Sequence, residues 1–273
     1  MKHKLILIPD VHGRRFWKDA IPFIEAGVPA VFLGDYSDPY PAEKISSKEA
    51  VENLADIIGV ARAYSDRVTL LLGNHDLSYF GMEKGLWSVS ADRYSRHWSK
   101  RWHNLFWDNV DLFSICKQIR VGGHKYLLSH AGIHPEWVDS VFLFDKIDKS
   151  SLALVAAKME ELFRQSLNST TRTAFIESLA VVGYMRGGIS PAGSPVWADC
   201  HEYEFVEYDG ISQIFGHSQQ FSFEETDAGF VEVPAKAFVC GNNYCIDCRR
   251  CFFLDGNGQL RYLDSQEKVI SNC

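Results

Sequence analysis

Three apolar runs each break off into a cluster of metal-type donors, and this repetition constrains the chain more than any other feature. Leu5-Ile6-Leu7-Ile8 leads into Pro9-Asp10-Val11-His12-Gly13. Val31-Phe32-Leu33 leads into Gly34-Asp35-Tyr36-Ser37-Asp38, and Val68-Thr69-Leu70-Leu71-Leu72 into Gly73-Asn74-His75-Asp76. A short apolar run bounded by Gly or Pro reads as a buried strand. Donors just past its C-terminal end fall where parallel α/β sheets build their sites. Carboxylate oxygens and imidazole nitrogens gathered at one sheet edge are what divalent metals take. Asp35, in the middle cluster, is placed to bridge two ions.

The connections agree with parallel strands. Arg14 to Ala26 has moderate helical patterning. Ser46 and Ser47 ahead of Glu49 predict a capped helix start, and Ala50, Val51, Leu54, Ile57, Ile58 and Ala61 follow at helical spacing. Strand, helix, strand, helix, strand implies right-handed crossovers. From Ser78 to Ser95 the pattern breaks, and glycines and aromatics predict a loop. It is either a substrate wall or a surface insertion packed by its own aromatics. Trp98, Trp102, Leu105, Phe106 and Val110 then form a helical core stripe.

Ile115 to Val121 and Lys125 to Ser129, around Gly122-Gly123, predict a β-hairpin. It ends in Ser129-His130-Ala131-Gly132, another strand end with a histidine. Helices are expected over 151–167 and 172–182, and a Gly/Pro-rich loop over 186–195. A strand from Ile211 to Phe215 ends in Gly216-His217. The tail, 237–248 and 251–263, reads as antiparallel strands closing the fold. No internal repeat appears, and 1–273 reads as a single domain.

Composition narrows the function classes. The apolar fraction of 46% supports a sizeable core. A net charge of −7 and the lack of a basic stretch argue against a nuclease, a strong nucleic-acid binder or an anionic-membrane binder. The apolar run near Met1 is too short for a signal-peptide core, and no later run would span a bilayer. The seven cysteines are odd in number, which favours a reduced, cytoplasmic protein. Cys240, Cys245, Cys248 and Cys251 raise the idea of zinc or an iron–sulfur cluster. Cys245 and Cys248 would point to opposite faces of a strand, so buried free thiols are the better reading.

The strand-end motifs Asp10-x-His12-Gly13, Gly34-Asp35-x-x-Asp38, Gly73-Asn74-His75-Asp76, Ser129-His130-Ala131-Gly132 and Gly216-His217 are individually weak. In this order the chain resembles the calcineurin-like metallophosphoesterases. Within them it resembles the branch of serine/threonine protein phosphatases and bacterial diadenosine-tetraphosphate hydrolases. Val196-Trp197-Ala198-Asp199 looks like the Trp-Ser-Asp segment of that branch. The resemblance implies a four-layer α/β/β/α sandwich, an α/β fold, with two divalent metal ions. Manganese is the first choice; iron, zinc and nickel also suit the donors. Asp10 and His12 would hold the first metal, Asp35 would bridge, and Asn74, His130 and His217 would complete the second. His75 would give a proton to the leaving oxygen, with Asp38 fixing its tautomer.

The resemblance implies hydrolysis of phosphate monoesters by attack of a metal-bridging hydroxide. The alternatives are a nucleotide pyrophosphohydrolase of the diadenosine-tetraphosphatase type and a non-catalytic scaffold. Substrates would be a phosphorylated small molecule, a nucleotide or a phosphoprotein. One departure matters. The branch follows Gly-Asp-x-x-Asp with Arg-Gly, whereas Pro39-Tyr40 follows Asp38 here, and no arginine lies between Trp197 and His217. Both phosphate-gripping arginines are absent at their matched positions. Arg186 is the first candidate replacement and Arg14 the second.

Overall fold

The computed structural model describes residues 3–82, 93–143, 145–169, 173–204, 206, 208, 210–226, 229–234 and 236–263. In chain order these form β1 (His3–Ile8), a 3-10 turn at Phe16–Ala20, α1 (Ile21–Glu25), β2 (Ala30–Phe32), α2 (Ser47–Ala63), β3 (Val68–Leu71), α3 (Asn74–Met82), α4 (Ser99–Trp107) and β4 (Phe113–Ser114). There follow β5 (Cys116–Val121), β6 (His124–Ser129), α5 (Pro135–Val141), α6 (Leu152–Leu167), α7 (Ala174–Ser178) and β7 (Ser212–Phe215). The chain ends with β8 (Phe221–Thr226), β9 (Gly229–Pro234), β10 (Phe238–Cys240), β11 (Asn243–Cys245), β12 (Phe252–Asp255) and β13 (Leu260–Tyr262).

Two sheets carry the architecture, in the orders β13-β12-β1-β2-β3-β4 and β10-β11-β7-β6-β5. Within the first, β1 to β4 run parallel; within the second, β6, β7 and β11 do. The layering follows from the period-2 alternation of buried strands. Leu5 and Leu7 of β1, with Val31 and Leu71, join Tyr126, Leu128 and Ile214 in a core between the sheets. Ile6, Ile8, Ala30, Phe32 and Leu70 face the opposite way, into a core shared with Leu54, Ile57 and Ala61 of α2. Ala131, Phe215 and Cys245 pack with Tyr203 on the second sheet's other side. Each fully buried aliphatic side chain contributes about 1.5–3 kcal/mol. Faces that are apolar on both sides therefore have to be covered twice, and mixed α/β layers result.

Helix α2 starts where its cap is. Ser46 Oγ accepts from Glu49 N at 3.2 Å, and Glu49 Oε2 accepts from Ser46 N at 2.8 Å. The buried Asn53 on its inner face accepts from Trp17 Nε1 and donates to the Arg14 carbonyl, both at 3.0 Å. That pins the loop after the first motif.

Several expectations shift. The helix over 14–26 is a 3-10 turn plus the short α1. Of the predicted helix over 172–182, residue 172 lies outside the described residues and the rest contracts to α7. The loop expected from Ser78 is helical as far as Met82, because Leu77, Tyr79 and Phe80 are buried and α3 packs on α4. That packing overrides the poor helix propensity of Gly81. The rest of that stretch, 83–92, lies outside the described residues. The tail forms two antiparallel hairpins, as expected, but β10-β11 joins one sheet and β12-β13 the other. The β8-β9 hairpin has no counterpart in the sequence reading.

Candidate metal centre

The central parallel strands of both sheets end at one place. Asp10, Asp35 and Asn74 follow β1, β2 and β3; His130 and His217 follow β6 and β7. The sheets are stitched together there. His130 Nδ1 lies 2.9 Å from the Leu33 carbonyl, and His217 N donates to Asp10 Oδ1 at 2.9 Å. No side chain fits between some of these groups. A Cβ on Gly73 would stand 2.1 Å from Asp35 Oδ1, and one on Gly216 would stand 2.0 Å from Asp10 Oδ1.

Two donor clusters result. Asp10, His12 and Asp35 form one, and Asp35, His130 and His217 the other, each with donor atoms within 4.8 Å of one another. Asp35 belongs to both. Asn74 Oδ1 joins the second, 3.1 Å from His130 Nε2, which lies 3.2 Å from His217 Nδ1. All six predicted donors are thus together and buried.

The donor set fits cations and fits little else. His12 Nδ1 is 2.8 Å from the Ser37 carbonyl, so it carries the proton. His130 Nδ1 does the same at Leu33. Each ring then offers a bare Nε2 lone pair, and these stand 3.4 and 3.5 Å from Asp35 Oδ2. Acceptor faces acceptor twice over, which is repulsive until a positive charge lies between. Burial pushes His12 and His217 well below the ordinary imidazole range and lowers His130, which favours the neutral imidazole that a metal would need. Burial also pushes the Asp10 carboxyl up to about 6, helped by Asp35 and opposed by His130.

The backbone carries strain here. His12, Asp35, Asp38 and His217 adopt left-handed φ of 44°, 51°, 52° and 66°. Each such residue costs on the order of 1–3 kcal/mol and persists only where its surroundings hold it. Asp76 is the main brace. Its Oδ1 accepts from Tyr36 N at 2.9 Å and Ser37 N at 3.2 Å, and its Oδ2 from Gly73 N at 3.0 Å.

His75 and Asp38 are paired beside the donors, with Nδ1 to Oδ2 at 2.8 Å. Burial disfavours the charged imidazole, but Asp35 and the Asp38 hydrogen bond outweigh it, and the His75 pKa rises. Arg186, the first candidate for holding substrate, lies next to His217. It donates to Ser218 Oγ at 2.7 Å, and its Nε is 2.7 Å from Asp199 Oδ2. Arg14 donates from Nε to Glu43 at 2.8 Å and from Nη1 to the Asp10 carbonyl at 3.2 Å, and its buried Nη2 has no hydrogen-bond partner among the described residues.

Two residues escaped the sequence reading. Arg93 stacks on Tyr40, 4.0 Å from the ring centre, and donates from Nε to the Asp38 carbonyl at 3.2 Å. Its Nη2 stands 3.2 Å from His75 Nε2. Asp247 is buried past the end of β11, with neither carboxylate oxygen hydrogen-bonded to any of the described residues. Burial first, then Asp10, raises its pKa well above the carboxylate range. The strand-end grammar could have flagged Asp247, since Cys245-Ile246-Asp247 repeats it. Of the histidines left aside, buried His134 caps α5 through Glu136 N, and exposed His201 pairs with Glu204. The six described cysteines are free, and Cys245 and Cys248 lie in different cores.

Among the described residues, no helix is long and apolar enough to cross a membrane. Solved structures of similar shape include a cold-active protein-tyrosine phosphatase of a psychrophilic Shewanella. It is 15% identical with a TM-score of 0.56, over 99% of this chain and 81% of that one. A second structure of a cold-active protein tyrosine phosphatase gives 15% and 0.58, over 99% and 79%. A protein serine/threonine phosphatase from Saccharomyces cerevisiae aligns at 14% identity, over 93% and 73%, but its TM-score of 0.45 carries no weight. No curated protein matches the sequence. The first two likenesses establish the fold alone. The sequence model for calcineurin-like phosphoesterases, however, matches residues 3–221, the stretch that contains every one of the six donors. With that span matched and two aspartate–histidine clusters joined through Asp35, the chain belongs to the calcineurin-like phosphoesterase family.

Proposed function

We propose that the protein is a dinuclear metal-dependent phosphoesterase that hydrolyses phosphate monoesters. One observation carries this reading: the bare Nε2 atoms of His12 and His130 face the same Asp35 oxygen from two sides. When bound, two divalent ions supply an activated water and Lewis-acid neutralisation of the phosphoryl oxygens. Asp10 and Asp35 remove only two of the four positive charges, so the loaded site favours an anion in an acidic protein.

The chain's own residues do the rest. His75, held by Asp38 at Nδ1, presents Nε2 to the leaving oxygen and gives it a proton. Arg93, beside that same Nε2, grips the phosphate on the leaving-group side. Arg186, tethered by Asp199 next to His217, grips it on the other. These two arginines take over from the pair absent at the family's positions. Each guanidinium is pre-oriented by a fixed partner, which reduces the ordering cost of binding.

The name of the Shewanella enzymes, protein-tyrosine phosphatase, makes aryl phosphates the first substrates to try. The test is a panel of aryl phosphates, phosphopeptides and dinucleoside polyphosphates, run on metal-stripped protein with manganese, iron, zinc, nickel or magnesium added back. Monoester turnover should exceed anhydride turnover. The reverse would favour a pyrophosphohydrolase.

A further inference from the structure

Tyr79 is fully buried one helical turn after His75, on the same face of α3. A helical side chain leans back toward the N-terminus, so its hydroxyl returns to the level of His75. There it donates to Asp38 Oδ1. The same hydroxyl accepts from Ser95 N at 2.7 Å, and its ring stacks on Tyr94 with centroids 4.6 Å apart and planes 20° apart.

Asp38 is therefore held at three atoms. His75 Nδ1 takes Oδ2, Tyr79 takes Oδ1, and Arg93 Nε takes the carbonyl. Two of these contacts lead into one short stretch, Arg93-Tyr94-Ser95. Arg93 reaches Asp38 directly, and Ser95 reaches it through the Tyr79 hydroxyl. Asp38 also sits at a left-handed φ of 52°, a conformation that needs such holding.

We propose that Tyr79 is a positioning residue that couples the phosphate-gripping Arg93 to the His75–Asp38 pair, so that clamp and proton donor are set as one unit. This rests on the function proposed above. Tyr79 hydrogen-bonds to none of the six metal-type donors. It acts by fixing which way the Asp38 carboxylate faces and where the Arg93 segment docks. Losing its hydroxyl frees Oδ1 of Asp38 and the amide of Ser95 together, while the ring keeps its stack on Tyr94.

The test compares wild type, Tyr79→Phe, Arg93→Ala, the double variant and His75→Asn, all metal-loaded and checked for metal content. Two measurements are made. The first is the Kd of inorganic phosphate. Tyr79→Phe should weaken it several-fold, and the double variant should lose little more than Arg93→Ala alone, because coupled residues do not add. The second is kcat on phenyl phosphate against p-nitrophenyl phosphate. Tyr79→Phe should slow phenyl phosphate by roughly tenfold and the nitrophenyl ester far less, since an acidic leaving group needs little protonation. Phosphate Kd effects that simply multiply in the double variant would overturn the proposal. So would a Tyr79→Phe loss that is equal for both esters while His75→Asn discriminates between them. If His75→Asn itself fails to discriminate, the acid assignment falls, and the phosphate measurement alone still decides the coupling.

Discussion

The donor cluster and the arginine rim sit side by side and are built by different means. Each of the six donors lies one to four residues beyond a parallel strand, so its place follows from local chain direction. Four are then locked by backbone partners: Asp10 by His217 N, His12 by Ser37 O, Asp35 by His75 N and His130 by Leu33 O. The rim arginines lie on connecting segments and not at strand ends. Arg93 reaches Asp38 from 55 residues away, and Arg186 reaches Ser218 from 32. A cluster fixed by strand geometry cannot change a donor without losing its arrangement. A rim delivered by connecting segments can exchange one arginine for another and keep the chemistry. On the function proposed above, that is how the family's donors and a different set of arginines coexist in this chain.

If this division is right, perturbing the cluster should be all-or-none and perturbing the rim graded. The largest effect should come from stripping the metal. Exhaustive chelation should abolish hydrolysis of p-nitrophenyl phosphate, and added manganese should restore it; turnover that persists in verified metal-free protein would break the comparison outright. Next comes His75→Asn, which should retain bound metal yet lower kcat by ~10²–10⁴-fold, the usual range for a general acid. Loss of metal together with activity would move His75 into the cluster.

The rim variants should follow. Arg93→Ala and Arg186→Ala each remove a charged hydrogen-bond partner worth ~1.5–3 kcal/mol, so KM should rise roughly tenfold to a hundredfold with metal content unchanged. Unaltered KM in both would leave the metals alone to hold the phosphate. The smallest effect should be Ser46→Ala, whose hydroxyl pairs with Glu49 and with no donor or rim arginine. It removes the capping box of α2 and should cost about 0.5–2 kcal/mol in denaturant unfolding, with kinetics preserved.

The same division explains what the sequence could disclose. Strand ends, the capped α2 and the β5-β6 hairpin rest on local patterns, and those patterns are complete within a few residues. Asp247 obeys the same grammar, but β11 is only three residues long, and its parallel pairing with β7 is a long-range fact. Arg93 has no local signature; only the docking of its segment on Tyr79 and Tyr40 makes it part of the site. Arg14 directly follows the first motif, and only the long-range fold sets its guanidinium between Glu43 and the Asp10 carbonyl. The extension of α3 through Ser78, Tyr79 and Gly81 was hidden because burial against α4, and not propensity, makes that helix.

The shared role of Asp35 is the claim on which both regions depend. Elemental analysis of purified wild type and Asp35→Asn, each reconstituted with manganese and desalted, tests it without any assay of turnover. Circular dichroism on the same samples checks that the variant is folded. Two metals per chain in the wild type, and fewer than one in a folded Asp35→Asn, is the predicted result. A folded Asp35→Asn that still holds two, or a wild type that holds no more than one, would contradict it.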